Sequence, residues 1–230
     1  IAPIISVVSP SGLTTNADND VTFTVSMSQG DAPLYYQWYT QSADTLTSTL
    51  IANATNSSLV LPSVLAANST NYVVVVTNNA TSANAVTSSP VNLTVIDPAI
   101  NVQPANQIVI PKGNAQFLTL DAGTGISYQW YFCASPSDNS QLTGPVTDGL
   151  LPSGAGAIGS TSNVLTITNV TVATQTNFAL VVTGTYGSIT SSVASLTIGT
   201  TAVPLAFWNF NGIFDATNPA PYQGSGTASG

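Results

Sequence analysis

The chain has 230 residues, enough for one large or two ordinary domains, and 43% of them are hydrophobic. Only 4% are charged: nine residues are acidic, one is basic, none is histidine, and the net charge is −8. One basic side chain cannot neutralise a run of phosphates, so this composition excludes nucleic-acid binding and disfavours anionic membrane surfaces. No apolar run of about 18 residues occurs either, so we expect no direct membrane insertion.

The polar surface must come mainly from Ser, Thr, Asn and Gln, which favours an exported protein that is extracellular or at the cell surface. The single cysteine, Cys133, excludes a disulfide within the chain, and no histidine is present to activate its thiol. We therefore expect Cys133 to be a small buried side chain. Because the chain opens at Ile1 rather than Met, we also expect it to be processed or part of something larger.

Short runs rich in Val, Ile, Thr, Tyr and Phe follow one another along the chain, separated by Gly, Pro, Asn and Ser, which is typical of β-strands and turns. In the first half these runs cover residues 1–8, 21–25, 36–39, 59–64, 71–77 and 91–95. The first run, with Ile4 and Ile5, is predicted to be an ordinary opening strand. The alternative is a strand donated to a neighbouring subunit.

The second half repeats this order, with runs at residues 115–119, 128–131, 165–170, 177–183 and 194–198. The tetrapeptide Tyr-Gln-Trp-Tyr occurs at residues 36–39 and again at 128–131. One order of elements that occurs twice predicts two copies of one domain. The second copy carries about fourteen extra residues in the Ser-, Gly-, Pro- and Asp-rich stretch 133–163, for which we expect a long insertion loop or a loose extra hairpin.

Each half resembles a bacterial immunoglobulin-like domain of the repeat-bearing surface-protein kind. The resemblance implies core positions for Trp38 and Trp130, a tyrosine corner at Tyr72, and the loss of that corner hydroxyl at Phe178. The implied fold class is all-β, with two tandem Ig-like antiparallel β-sandwiches plus a C-terminal strand and tail. The predicted boundaries are 1–97 and 98–200 for the two sandwiches, divided near Asp97-Pro98, and 201–230 for the tail.

The tail opens with an apolar strand pattern that contains Leu205, Phe207, Trp208 and Phe210, and it ends in a Gly-, Pro- and Ser-rich stretch. It resembles the start of a further β-sandwich domain of an exported multidomain protein. The alternative is an assembly strand that completes the sheet of a neighbouring subunit. Either role would keep an aromatic strand edge away from water.

A cluster of oxygen-bearing side chains, Asn16, Asp18 and Asp20, is a weak candidate for calcium binding, because calcium takes six to eight oxygen ligands. The alternative is that Asp and Asn simply favour turns. No other cofactor is expected. Six Asn-x-Ser/Thr sequences are candidates for glycosylation, at Asn53, Asn56, Asn68, Asn79, Asn92 and Asn169.

No acid–base pair with histidine or glutamate can be assembled from this composition, so we predict that the chain is not an enzyme. The leading functional prediction is a structural extracellular module that builds a surface filament or a stalk. An adhesin or carbohydrate-binding module acting through the 133–163 loop or the outward tyrosines Tyr35, Tyr39 and Tyr131 is the alternative, and an accessory domain of a secreted hydrolase is another. The expected partners are copies of the chain, neighbouring domains of the same protein, and possible glycans.

Overall fold

The computed structural model describes residues 1–44, 46–79 and 85–199. Residues 1–198 form one compact unit, in which strands dominate and only two short 3₁₀ turns occur among the described residues. The tail positions Leu205, Phe207, Trp208 and Phe210 lie outside the described residues.

The first sandwich is built from two sheets. Its strands are β1 (Ile4–Ser9), β2 (Gly12–Asn16), β3 (Val21–Gln29), β4 (Leu34–Gln41), β5 (Ser48–Leu50), β6 (Ser58–Leu61), β7 (Thr70–Asn78), β8 (Val86–Thr87) and β9 (Val91–Ile96). One sheet has the order β1-β3-β6, and the other has the order β2-β9-β7-β4-β5 with β8 paired to β7. The 3₁₀ turn Ala66–Asn68 connects β6 to β7.

This strand order is the immunoglobulin order, in which strands B and E share one sheet while strands C, F and G share the other. Here β3 and β6 correspond to B and E, and β4, β7 and β9 correspond to C, F and G. The pairing is antiparallel except where β2 runs parallel to β9. The first two strands therefore belong to different sheets, because β1 pairs with β3 and β2 pairs with β9.

The second sandwich repeats the arrangement. Its strands are β10 (Ala99–Val102), β11 (Gln107–Val109), β12 (Ala115–Leu118), β13 (Leu120–Ala122), β14 (Ser127–Cys133), β15 (Leu142–Pro145), β16 (Gly149–Leu150), β17 (Gly156–Ile158), β18 (Val164–Thr168), β19 (Thr176–Gly184), β20 (Gly187–Thr190) and β21 (Ala194–Ile198). One sheet has the order β11-β21-β19-β14-β15 with β20 on β19. The remaining strands form a four-stranded sheet of order β12-β18-β17-β16 and a separate two-stranded sheet, β10-β13.

The stretch 133–163 is not one long loop. It contributes β15 to the edge of one sheet, where β14 pairs with it, and the hairpin β16-β17 to the edge of the other, where β17 pairs with β18. The hairpin forms because its apolar positions Leu151, Ala155 and Ala157 are buried in the second core, together with Val146 just before it. Burial of these side chains holds in place a segment whose Gly and Ser content favours a loop.

Alternating side chains of each sheet face the interior. In β3 the inward residues Val21, Phe23 and Val25 are buried and their neighbours are exposed. Trp38 and Tyr72 lie in the same first core, and Trp130 and Phe178 lie in the second.

The two cores are not cleanly divided at residue 97. Ala99 and Ala122 come from the second sandwich but pack into the first core. Ile100, the neighbour of Ala99, packs into the second core. The exact domain boundary near Asp97-Pro98 stays a prediction, because the packing is continuous across it.

The N-terminal residues belong to their own sandwich. Ile4 and Ile5 lie in β1 and pair with Gln29 and Met27 of β3. Ile5 also packs against the first core, whereas Ile4 is half exposed. Donation of this strand to a neighbouring subunit would require it to leave the sheet in which it is paired.

Candidate functional site: the junction between the two sandwiches

The segment that connects the sandwiches is buried rather than exposed. Asp97 follows β9 directly, β10 begins at Ala99, and Asp97, Pro98, Ala99 and Ile100 are all buried. We call residues 97–100 the junction, together with the residues of both sandwiches that contact them. A flexible linker would leave such residues in water, so the burial indicates a fixed connection.

The carboxylate of Asp97 holds both sandwiches at once. It accepts a hydrogen bond from the backbone N–H of Ala66 in the first sandwich, at 3.1 Å. It also accepts bonds from the backbone N–H and the hydroxyl of Thr124 in the second sandwich, each at 2.8 Å. Charge-assisted hydrogen bonds of this kind are about twice as strong as neutral ones.

The environment of Asp97 favours the ionised form. Burial acts to raise the pKa of this carboxyl, but the hydrogen bonds from Thr124 and Ala66 outweigh burial and the pKa lies below its ordinary value. The junction therefore contains a negative charge that is stabilised by donors from both sides.

Glycines allow the turns of the second sandwich to approach the junction. A Cβ on Gly123 would lie 2.7 Å from Oδ1 of Asp97 and 2.9 Å from Cα of Pro98. A Cβ on Gly184 would lie 3.4 Å from Cδ of Pro98. At Gly123 no side chain fits, because real Cβ atoms essentially never come within 3.0 Å of such neighbours.

A second set of polar contacts lies beside the first. The amide of Asn16 donates to Oδ1 of Asn101 at 2.9 Å, and the amide of Asn101 donates to the carbonyl of Ala17 at 3.3 Å. Together with Asp97, these bonds connect the sandwiches at separate points, so rotation about the junction would break several of them. Ala99 and Ala122, buried in the first core, add apolar contact.

Comparisons with known proteins give likenesses of fold only. No family model matches the sequence, and no curated protein matches it. Among solved structures, extracellular domains 3–5 of Drosophila OTK align with 86% of the chain at 15% identity and a TM-score of 0.36, and the I-band fragment I67–I69 from titin aligns with the same values. The chain spans 66% of the length of each. The N-terminal Ig1-2 module of Drosophila DLAR aligns with 87% of the chain over its full length, at 17% identity and a TM-score of 0.32.

The structure uses two of the three calcium candidates in protein contacts. Asn16 is bonded to Asn101 in the junction, and the carboxylate of Asp20 accepts a bond from the backbone N–H of Ser63 at 2.9 Å. Asp18 is exposed in the turn between them. Within the described ranges, no group of three or more His, Cys, Asp or Glu side chains is positioned to hold a metal ion. The calcium hypothesis stays a prediction.

Five of the six glycosylation candidates are exposed: Asn53, Asn56, Asn79, Asn92 and Asn169. The sixth, Asn68, is partly buried, and its side-chain oxygen accepts a bond from the backbone N–H of Leu65. Among the outward tyrosines, Tyr35 is half exposed, while Tyr39 and Tyr131 are partly buried. These residues are not brought together into one site, since Tyr131 belongs to the second sandwich.

The glutamine of the repeated tetrapeptide donates hydrogen bonds to the backbone in both copies. Gln37 donates from its amide to the carbonyls of Trp38 and Ile51, at 3.0 and 2.8 Å. Gln129 donates to the carbonyls of Trp130 and Val146, both at 2.9 Å. The repetition of Gln within the tetrapeptide is the sequence signal for this shared structural role.

A pair of serines repeats in the same way. Ser88 and Ser191 each accept a bond from the backbone N–H of a central residue of β7 or β19, Val74 at 3.1 Å and Leu180 at 2.9 Å. Each serine also donates its own N–H back to the carbonyl of that residue. These bonds fasten the segments before β9 and β21 to the sheet, at the level where antibody domains carry the second cysteine.

Two further observations concern membrane-spanning helices and the single cysteine. In the described part of the chain, no helix is long and apolar enough to cross a membrane. Cys133 is buried, and its thiol donates to the carbonyl of Asp138 at 3.2 Å.

Proposed function

We propose that the chain is a structural, non-catalytic extracellular module, whose two sandwiches act as a stiff spacer in a stalk or a surface filament. The observation that carries the proposal is the junction: Asp97 accepts hydrogen bonds from both sandwiches, and Ala99 and Ala122 pack into the core of the first. A spacer transmits position and force only if its domains do not rotate freely, and buried contacts at the junction oppose that rotation.

The composition supports the same role. With 4% charged residues the exposed strand edges have few charges with which to repel other strands. Neighbouring domains, glycans on the exposed asparagines or further copies of the chain would cover those edges. A packed stalk or filament offers such cover, and a free monomer does not.

The test is a distance distribution across the junction. Spin labels on an exposed residue of each sandwich, Val60 and Ile158, would report by pulsed electron resonance whether the two move as one body. We expect a narrow distribution for the wild-type chain. In Asp97→Ala the donors of Ala66 and Thr124 lose their acceptor, and we expect the distribution to broaden.

The matched control is Asp44→Ala, which removes an exposed acidic side chain far from the junction in sequence. It should leave the distribution narrow. A broad distance distribution in the wild-type chain would contradict a stiff spacer, because the two sandwiches would then move independently of each other.

A further inference from the structure

The first sandwich has an unpaired sheet edge at a place where the second sandwich is covered by its own hairpin. In the second sandwich β18 lies between β12 and β17, so both of its sides are paired. In the first, the corresponding strand β6 pairs with β3, and no described strand pairs with its other side. The two strands are equivalent, because Leu59 pairs with Phe23 as Leu165 pairs with Phe117.

The hairpin β16-β17 is the part that the first sandwich lacks. The backbone of each core tryptophan bonds to two points of the chain that follows it, Ile51 and Ala54 for Trp38, and Val146 and Ser160 for Trp130. Between these points the first sandwich has only residues 52–53, whereas the second has residues 147–159, which include the hairpin. The edge of β6 is therefore the edge that the insertion covers in the other copy.

Backbone groups of β6 point out of this edge. Ser57 accepts a hydrogen bond from the backbone N–H of Val25, so its polar groups face β3, and those of every second residue after it do the same. The N–H and C=O groups of Ser58 and Val60 therefore point away from β3. Among the described residues, none outside the sheet bonds to these backbone groups. In the second sandwich the equivalent of Val60 is Thr166, which pairs with Ile158 of the hairpin.

Strand β6 carries none of the usual features that protect an edge. Natural edge strands avoid pairing with other chains by means of lysine, inward charge, a bulge or proline. The sequence of β6 is Ser-Leu-Val-Leu, and its register with β3 is regular. Val60 is 60% exposed, and Pro62 follows only after the strand has ended. This edge is therefore open to another strand.

The edge is complementary to itself. When two β6 strands run antiparallel about a two-fold axis at Leu59, Ser58 of each copy lies opposite Val60 of the other. Each such pair exchanges N–H and C=O groups, so every outward donor and acceptor of the two strands is satisfied. No other register does this, because Pro62 has no N–H to donate.

Charge favours the same antiparallel arrangement. The backbone N–H of Asp18 donates to the carbonyl of Val64, and the carboxylate of Asp20 accepts from the N–H of Ser63, so both acids lie beside the end of β6. Antiparallel pairing places this end beside the start of β6 in the other copy, where the sequence carries no charge. The carboxylates of the two copies are then kept apart.

We propose that a second copy of this chain pairs its β6 with this edge, antiparallel and with Leu59 opposite Leu59. The sheet β1-β3-β6 then continues through the contact into the same sheet of the other copy. A stable interface buries at least about 1,000 Å², and a four-residue strand offers much less, so the contact forms in concentrated solution or where chains are held side by side. The proposal goes beyond the spacer role. The distance measurement across the junction is made in dilute solution, where this contact is absent, so the two proposals fail separately.

The first test is amide hydrogen exchange of the full chain, measured by NMR in dilute and in concentrated solution. Exchange at Ser58 and Val60 should slow severalfold in concentrated solution, because their N–H groups gain acceptors. Leu59 and Leu61 face β3 within the same copy, so their exchange should not change. Exchange at Ser58 and Val60 that does not depend on concentration would overturn the proposal, whether these amides are open throughout or already protected by another part of the same chain.

Two substitutions of Val60 separate the backbone from the side chain. Val60→Pro removes the outward N–H and leaves the bonds to β3 in place, since proline is tolerated where the N–H of an edge strand faces solvent. Val60→Thr keeps the N–H and a β-branched side chain. In concentrated solution, sedimentation velocity should show dimers of the wild type and of Val60→Thr, and a loss of dimers in Val60→Pro. Equal dimerisation of the two variants would contradict pairing through the backbone.

Disulfide trapping tests the register in chains without the added proline. On mild oxidation an equal mixture of Ser58→Cys and Val60→Cys chains should give more heterodimer than either homodimer, because directly opposite residues have Cα atoms about 5.5 Å apart. The control mixture combines Ser58→Cys with Thr22→Cys, whose thiol is exposed on β3, one strand farther from the other copy. The buried thiol of Cys133 is present in every variant. Equal yields of heterodimer in the two mixtures would overturn the proposed contact.

Discussion

Gly123 touches Pro98 so closely that a Cβ on the glycine would lie 2.9 Å from Cα of the proline, and the φ of Gly123 is +153°. Both the space and the backbone conformation exclude other residues. The contact joins the turn before β14 to the junction, so the sequence can bring the sandwiches together only with glycine at this position.

Replacement of this glycine should therefore weaken the junction. We expect Gly123→Ala to lower the free energy of unfolding by about 1–3 kcal/mol, from backbone strain and the clash with Pro98. The matched variant is Gly144→Ala, because a Cβ there meets nothing within 4 Å and the φ of Gly144 is not positive. Chemical denaturation of both variants measures the difference. Equal stabilities would show that the turn can move away from Pro98 at no cost.

The junction should weaken in acid because of Asp97. Its pKa is below the ordinary value, since the bonds from Thr124 and Ala66 outweigh burial. A lowered folded-state pKa means that ionised Asp97 stabilises the fold above the unfolded value of about 3.9. This stabilisation is lost as the pH falls through the folded-state value. The stability difference between wild type and Asp97→Asn, measured by urea unfolding from neutral pH downwards, should shrink over that range. A stability difference that does not change with pH would show that the ionised carboxylate of Asp97 does not stabilise the fold.

Asp121 should have the opposite effect. Burial raises its pKa, against a hydrogen bond from Thr119, and its Oδ1 is buried without a partner among the described atoms. A raised folded-state pKa means that the ionised form costs stability above that pKa and the cost disappears as the pH falls. Asp121→Asn should therefore raise the melting temperature at neutral pH, and the gain should fall in acid. Asp138→Asn is the contrast, because hydrogen bonds from Ser140 lower the pKa of that exposed carboxyl and its loss should not stabilise.

The sequence predicts much of the fold from local patterns. Alternation in β3 and the repeated tetrapeptide around Trp38 and Trp130 are enough to place strands and the two cores, because inward positions must be apolar wherever one face of a sheet is buried. The parallel pairing of β2 with β9 has no such local signal. The junction has none either: Asp97 and Gly123 come together only when both sandwiches exist, and neither residue type identifies the contact.

The stretch 133–163 illustrates the same limit. Its Gly, Ser and Pro content favours a loop, and that preference is overridden by burial of a few apolar side chains, such as Leu151 and Ala157, in the second core. Composition reports the average preference of a segment. Whether a nearby sheet edge, here β18, accepts it as a strand is decided by tertiary packing.

The repeated glutamine supplies a further prediction. Gln129→Ala removes an amide that donates to the carbonyls of Trp130 and Val146, and these would lose their bonds in a partly buried place. We expect a loss of about 1–3 kcal/mol in the free energy of unfolding. Gln116→Ala is the control, since Gln116 is an exposed residue of β12. A loss no larger than that of the control would mean that water replaces the amide without cost.

The corner of each sandwich differs by one hydroxyl, which allows a reciprocal exchange. In the first sandwich the hydroxyl of Tyr72 donates to the carbonyl of Asn68 at 2.9 Å, and its ring packs 5.5 Å from that of Phe23. Tyr72→Phe keeps the ring and removes the bond, so it should lower the free energy of unfolding by about 1 kcal/mol. In the second sandwich Thr174 of the second 3₁₀ turn lies four residues before Phe178, as Asn68 lies four residues before Tyr72, and both line a surface cavity of about 430 Å³. We expect Phe178→Tyr to recover a similar amount if its hydroxyl donates to the carbonyl of Thr174, the equivalent of the Asn68 carbonyl in the first sandwich. Denaturation of the two single variants and of the double variant would measure both terms, and their sum should be near zero because the corners lie in different cores. A destabilised Phe178→Tyr would mean that the turn offers the hydroxyl no acceptor, and the missing tyrosine would then reflect the different shape of the second corner.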